Sequence, residues 1–67
     1  MRITWDRSAD AAYLHLTAAE LTPGRDTVDV DGSVLLDRKD GRLVGIEVLN
    51  ASALLPPDLL AEAETPA

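Results

Sequence analysis

Apolar and polar side chains alternate through several short stretches of this chain, and turn-forming residues separate the stretches. Ile3 and Trp5 sit two apart, as do Ala12, Leu14 and Leu16, and then Val28 and Val30. A strand sends successive side chains to opposite faces, so each stretch has one side to bury. The polar turn Asp6-Arg7-Ser8-Ala9-Asp10 joins the first two as a β-hairpin. Asp31-Gly32 precedes the run Val34-Leu35-Leu36-Asp37, and Asp40-Gly41 precedes Arg42 to Leu49. Asp-Gly between apolar runs marks a hairpin, because glycine takes the positive φ of a tight turn without strain. The expected fold class is mainly β with minor α. It is a small antiparallel β-meander of about four to five strands, since connections this short leave no room for parallel crossovers before residue 50.

The last strand carries apolar residues on both sides. Val44, Ile46 and Val48 point one way, and Leu43 and Leu49 point the other with Gly45 and Glu47 between them. Tyr13 or Trp5, with Leu35, would extend a second apolar patch, so both faces of the sheet call for a cover. Leu54, Leu55, Leu59 and Leu60 offer one cover as short C-terminal helical turns. A second copy of the chain offers the other. Pro56-Pro57 splits the C-terminal segment, and Pro57 suits the first position of a helix whose start Asp58 favours. Residues 1–55 read as one small β-rich domain and 56–67 as a tail with a short helix. Thr17 to Arg25, with Thr22-Pro23-Gly24, reads as a loop or a ragged edge.

Composition sharpens the question of stability. The chain has 67 residues and is 46% hydrophobic, but ten of the apolar residues are alanine and only Trp5 and Tyr13 are aromatic. A chain this short only just offsets its ordering entropy with one core. It has no cysteine for a disulfide or a thiolate metal site, which makes self-association the expected support. No apolar run approaches the roughly 20 residues that span a bilayer, and no signal region opens the chain, so a cytoplasmic protein without membrane contact is expected. The formal net charge of −6 opposes binding to phosphate backbones and suits a basic protein partner.

The pattern Met-x-Ile-x-aromatic-Asp, Ala-Asp-Ala-x-Tyr-aliphatic-x-Leu, Asp-Gly, and Asp-Gly-Arg-aliphatic-Val-Gly-Ile-Glu-aliphatic-Leu-x-Ala-Ser runs through Met1 to Leu16, Asp31-Gly32 and Asp40 to Ser52. It resembles the YuzE-like small prokaryotic proteins (domain of unknown function 2283) over about residues 1–55. The resemblance implies a small β-rich fold and carries no activity to particular positions. Such proteins are often found beside small toxin-like partners, which suggests an antitoxin or accessory role. Trp5 stands where tyrosine is commoner, Arg7-Ser8 replaces a frequent x-Glu, and the tail from Pro56 lies outside the pattern.

Candidate chemistry is sparse. Asp6 and Asp10 are paired carboxylates four apart, a spacing that serves proton sharing or metal binding when the two are held together. The stronger reading is structural, with Asp6 accepting from backbone N–H groups in an Asx turn and Asp10 closing the turn or pairing with Arg7. His15 is the sole histidine, on the strand face it shares with Tyr13. Gly41 and Glu47 have the spacing of the end of an EF-hand loop, but Leu36 and Arg38 occupy its first ligand positions. Gly45 permits a bulge or the close approach of an aromatic ring. Arg38, Lys39 and Arg42 are interleaved with Asp37 and Asp40, a solvated mixed-charge turn that gives no nucleic-acid surface.

The sequence therefore points to a non-enzymatic protein-interaction module, a homodimer without cofactor, using an open sheet edge or the second apolar face. A small metal-assisted hydrolase built on Asp6, Asp10 and His15 is the alternative, and it requires those three groups to converge.

Overall fold

The computed structural model describes residues 1–18 and 25–66. Five strands form one antiparallel sheet: β1 (Arg2–Asp6), β2 (Ala11–His15), β3 (Asp26–Asp29), β4 (Val34–Lys39) and β5 (Arg42–Leu49). Two short helices follow, α1 (Ala51–Leu54) and α2 (Pro57–Ala61). The protein is thus mainly β, as the alternation requires. Much of the expected loop from Thr17 to Arg25 lies outside the described residues.

The sheet order is β1-β2-β5-β4-β3. The pairings among these five strands are antiparallel. Chain order fails at one place, because β2 lies beside β5 rather than β3. Burial explains the exchange. The eight-residue β5 is the strand richest in large apolar residues and takes the centre, whereas every residue of β3 is exposed and β3 takes an edge. The Asp40-Gly41 turn has φ of 52° and 76° at its two residues, the geometry that joins twisted antiparallel strands tightly. The Asp31-Gly32 connection is longer. There Asp29 Oδ1 accepts from the Gly32 N–H, and Asp31 Oδ1 accepts from the N–H groups of Ser33 and Val34.

Cross-strand partners share a face, so the register sorts the side chains. Ile3, Leu14, Ile46, Leu36 and Val28 form one row, and Trp5, Ala12, Val48 and Val34 a second row on the same face. The C-terminal helices lie over part of this face. Ala12, Val48, Ala51 and Leu60 make the buried cluster, with Trp5, Leu14, Ile46 and Leu55 packed against it. The tail therefore docks on its own sheet, as the leucine spacing allows. Pro57 opens α2, with Asp58 in its first turn. Beyond α2, Glu64 pairs with the free edge of β1: its N–H donates to Ile3 O and its carbonyl accepts from the Trp5 N–H, both at 2.8 Å.

The opposite face is not the second apolar patch expected from β5. Tyr13 and Leu35 do lie there with Leu49, while Trp5 belongs to the helix-covered face. Thr4, His15, Thr27, Asp37 and Glu47 fill the space between the apolar side chains, and that makes the face polar. The reason is register, since each of these residues is the polar member of an alternating pair on its own strand.

Candidate functional site

The two paired carboxylates of the β1–β2 turn make different sets of hydrogen bonds. Asp6 Oδ1 accepts from the Ser8 N–H, the Ser8 hydroxyl and the Ala9 N–H at 3.1, 2.7 and 3.3 Å, the expected Asx turn. The Ser8 hydroxyl, followed by the Ala9 N–H, holds this carboxyl below its ordinary pKa. Asp10 is the last residue of the turn, directly before β2, and does not pair with Arg7. It takes a left-handed backbone, φ 51°, and reaches across to α1. Its Oδ2 accepts from the Ser52 hydroxyl at 2.6 Å, and its Oδ1 accepts from the Ser52 N–H at 3.0 Å and from Trp5 Nε1–H at 3.1 Å. The residue before α1, Asn50, supplies no side-chain cap. Asp10 provides that cap from a distant hairpin, and the Ser52 hydroxyl is the main cause of its lowered pKa. Arg7 stacks on the Trp5 ring instead, 4.5 Å from its centroid.

His15 lies at the far end of β2, opposite Arg2, whereas Asp10 adjoins the start of that strand. Four residue steps of extended chain separate Ala11 from His15 by about 13 Å. The structure does not bring Asp6, Asp10 and His15 together. Among the described residues no three His, Cys, Asp or Glu side chains are grouped to hold a metal ion.

The polar face holds a different constellation, one the sequence reading passed over. Tyr13, His15, Arg25, Thr27, Asp37 and Glu47 line an open depression of about 320 Å³. Asp37 is its fixed point. Only 5% exposed, it accepts from the Tyr13 hydroxyl through Oδ2 and from the Thr27 hydroxyl through Oδ1, each at 2.6 Å. The Arg25 guanidinium stands 3.6 Å away at the rim. Burial works to raise the Asp37 pKa, but the two hydroxyl donors and the Arg25 charge outweigh it and hold the carboxyl below the ordinary value. Tyr13 responds in the opposite sense: burial first, then its bond to Asp37 and that residue's negative charge, push the phenol far above its usual range. Asp37 therefore leaves the solvated mixed-charge turn in which it was expected.

Two neighbours complete the wall. The His15 ring meets Tyr13 edge-on, with centroids 4.6 Å apart, and His15 Nε2 lies 3.2 Å from the buried Thr4 hydroxyl oxygen. Burial, with Arg2 nearby, lowers the His15 pKa and favours the neutral ring. Gly45 lies beneath Tyr13, and a β-carbon there would collide with the phenol. Next to it the β4–β5 register shifts between Asp37 and Arg38. Of the two purposes expected of the glycine, the close ring approach is the one it serves, and the residue that the register shift leaves without a partner on β4 is its neighbour Val44.

An open five-stranded sheet with its tail folded onto one face and a polar depression on the other defines a small single-sheet domain. The chain belongs to the family described as protein of unknown function (DUF2283), whose model matches residues 2–52. No curated protein and no solved structure matches it. Tyr13, Gly45 and Glu47, which help to carry the sequence resemblance, meet at the depression. No helix among the described residues is long and apolar enough to cross a membrane.

Proposed function

We propose that the protein is a non-enzymatic interaction module that works as a homodimer through the uncovered part of its apolar face. One observation carries this reading: no large side chain is fully buried among the described residues. The core consists of Ile3, Ala12, Val48, Ala51 and Leu60, two of them alanines. The helices cover the β1–β2–β5 side, while Val28 on β3 and Leu54 on α1 remain 38% and 50% exposed. Val34 and Leu36 on β4, the strand beside Val28, are half-buried. A second copy laid on this strip buries apolar surface that one copy leaves in water.

The β3 edge adjoins the strip. Asp26 and Asp29 on it discourage indiscriminate strand pairing, and the net charge of −6 suits a basic polypeptide as the dimer's further partner. An accessory or antitoxin-like role is the biological form of this reading. Light scattering on a sizing column tests it. A dimer that Leu36→Asp converts to a folded or unfolded monomer supports the reading, and a monomer at every concentration tested refutes it.

A further inference from the structure

We propose that the depression on the polar face is a binding site for one organic cation, an alkylammonium or guanidinium group. This site lies on the sheet face opposite the dimer strip and does not depend on it.

The charges select the ligand. Asp37 and Glu47 contribute two negative charges, Arg25 one positive charge, and His15 is held toward its neutral form. The depression therefore carries one uncompensated negative charge. Glu47 is its source: half-buried on β5, directly across from Tyr13 and Leu35, its carboxylate makes no hydrogen bond or ion pair within the described residues. A carboxylate partly withdrawn from water gains from a cation brought beside it.

The shape narrows the choice further. The edge-on pair of Tyr13 and His15 gives the depression an aromatic wall beside the carboxylates, an arrangement that favours a cation with N–H donors and a flat or apolar body. A bare metal ion lacks a donor set here, because no three ligating side chains are grouped among the described residues. An anion would face both carboxylates. Arg25 meets Asp37 at 3.6 Å, longer than the roughly 2.7–2.9 Å of a close charge-assisted bond, and its side chain is 44% exposed. It marks the direction from which a guanidinium approaches and leaves Glu47 unsatisfied.

Methylguanidine and n-butylamine are the probes, titrated into the full chain at neutral pH and followed by backbone amide NMR. The expected result is a saturable shift confined to Tyr13, His15, Thr27, Asp37 and Glu47, with no response to acetate. Glu47→Gln, which keeps the shape of the side chain, should weaken binding about tenfold, the loss expected for one charge-assisted contact. Asp58→Asn on α2 should leave binding unchanged. Equal affinity for methylguanidine and for a blocked arginine tripeptide indicates a free small cation as the occupant, and a much tighter peptide indicates the side chain of a partner. Absence of saturable shifts, equal binding by Glu47→Gln, or an equal response to acetate overturns the proposal.

Discussion

The Tyr13 ring lies directly over Gly45, with its hydroxyl and Cζ in the space a β-carbon would need. The hydroxyl then reaches Asp37 at 2.6 Å, so a missing side chain on β5 permits a hydrogen bond between β2 and β4.

Gly45→Ala should therefore destabilise the fold by about 1–3 kcal/mol, the usual cost of forcing extra volume into a packed place. In a Tyr13→Ala background the same change should cost nothing or stabilise slightly, since alanine suits a strand better than glycine does. Denaturation midpoints of the four proteins in this cycle provide the check, and additive effects would contradict the contact.

Leu60 is the tail's anchor at 5% exposure, in contact with the cluster of Ala12, Val48 and Ala51. Leu60→Ala should cost about 2–5 kcal/mol, enough to unfold a marginal domain. Circular dichroism melts would show it. A variant with an unchanged transition would mean that the tail is dispensable.

Asp10→Ala should lower the melting temperature and change the Trp5 fluorescence, because one carboxylate holds both the indole N–H and the start of α1. Asp6→Ala should lower stability without moving the Trp5 spectrum, since Asp6 bonds only within its own turn.

Three groups on the polar face shape the pH dependence, and Asp6 and Asp10, whose pKa values are also lowered, add to its acid side. Asp37 has a folded pKa below its usual 3.8, so its stabilising contribution is complete above that value and disappears as the pH falls through the folded pKa. The His15 shift is also downward from 6.5, so the folded state binds fewer protons and stability declines as the pH falls below that value. For Tyr13 the shift is upward from 10.0, which stabilises fully below that value and fades as the pH climbs toward the folded pKa. Stability should plateau between about pH 7 and pH 10. Urea denaturation across this range tests the shape, and His15→Gln should flatten the slope just below neutrality.

The strands were legible because period-two alternation and two Asp-Gly pairs are local signals. Their order was not, since the pairing of β2 with β5 joins residues from His15 and Gly45 to Ala11 and Leu49, far apart in the chain, and depends on which strand carries the most apolar side chains. The Asx turn at Asp6 could be read from spacing alone. The reach of Asp10 to Ser52 could not, because it spans 42 positions. The polar depression escaped the sequence for the same reason: Tyr13, Thr27 and Asp37 come from three strands, and only register brings them together. Two signals pointed toward it, the shared face of Tyr13 and His15 and the glycine suited to a close aromatic ring. Asp37 beside Arg38 and Lys39 looked like part of a charged turn, and that proximity in sequence concealed its burial.

In the proposed dimer, one copy leaves part of its apolar face uncovered and a second copy supplies the cover. Thermal unfolding followed over a wide range of protein concentration tests this most directly. A melting temperature that rises with concentration, and loses that rise in Val28→Asp, is the predicted result. One independent of concentration throughout, with the chain monomeric and folded, would contradict it.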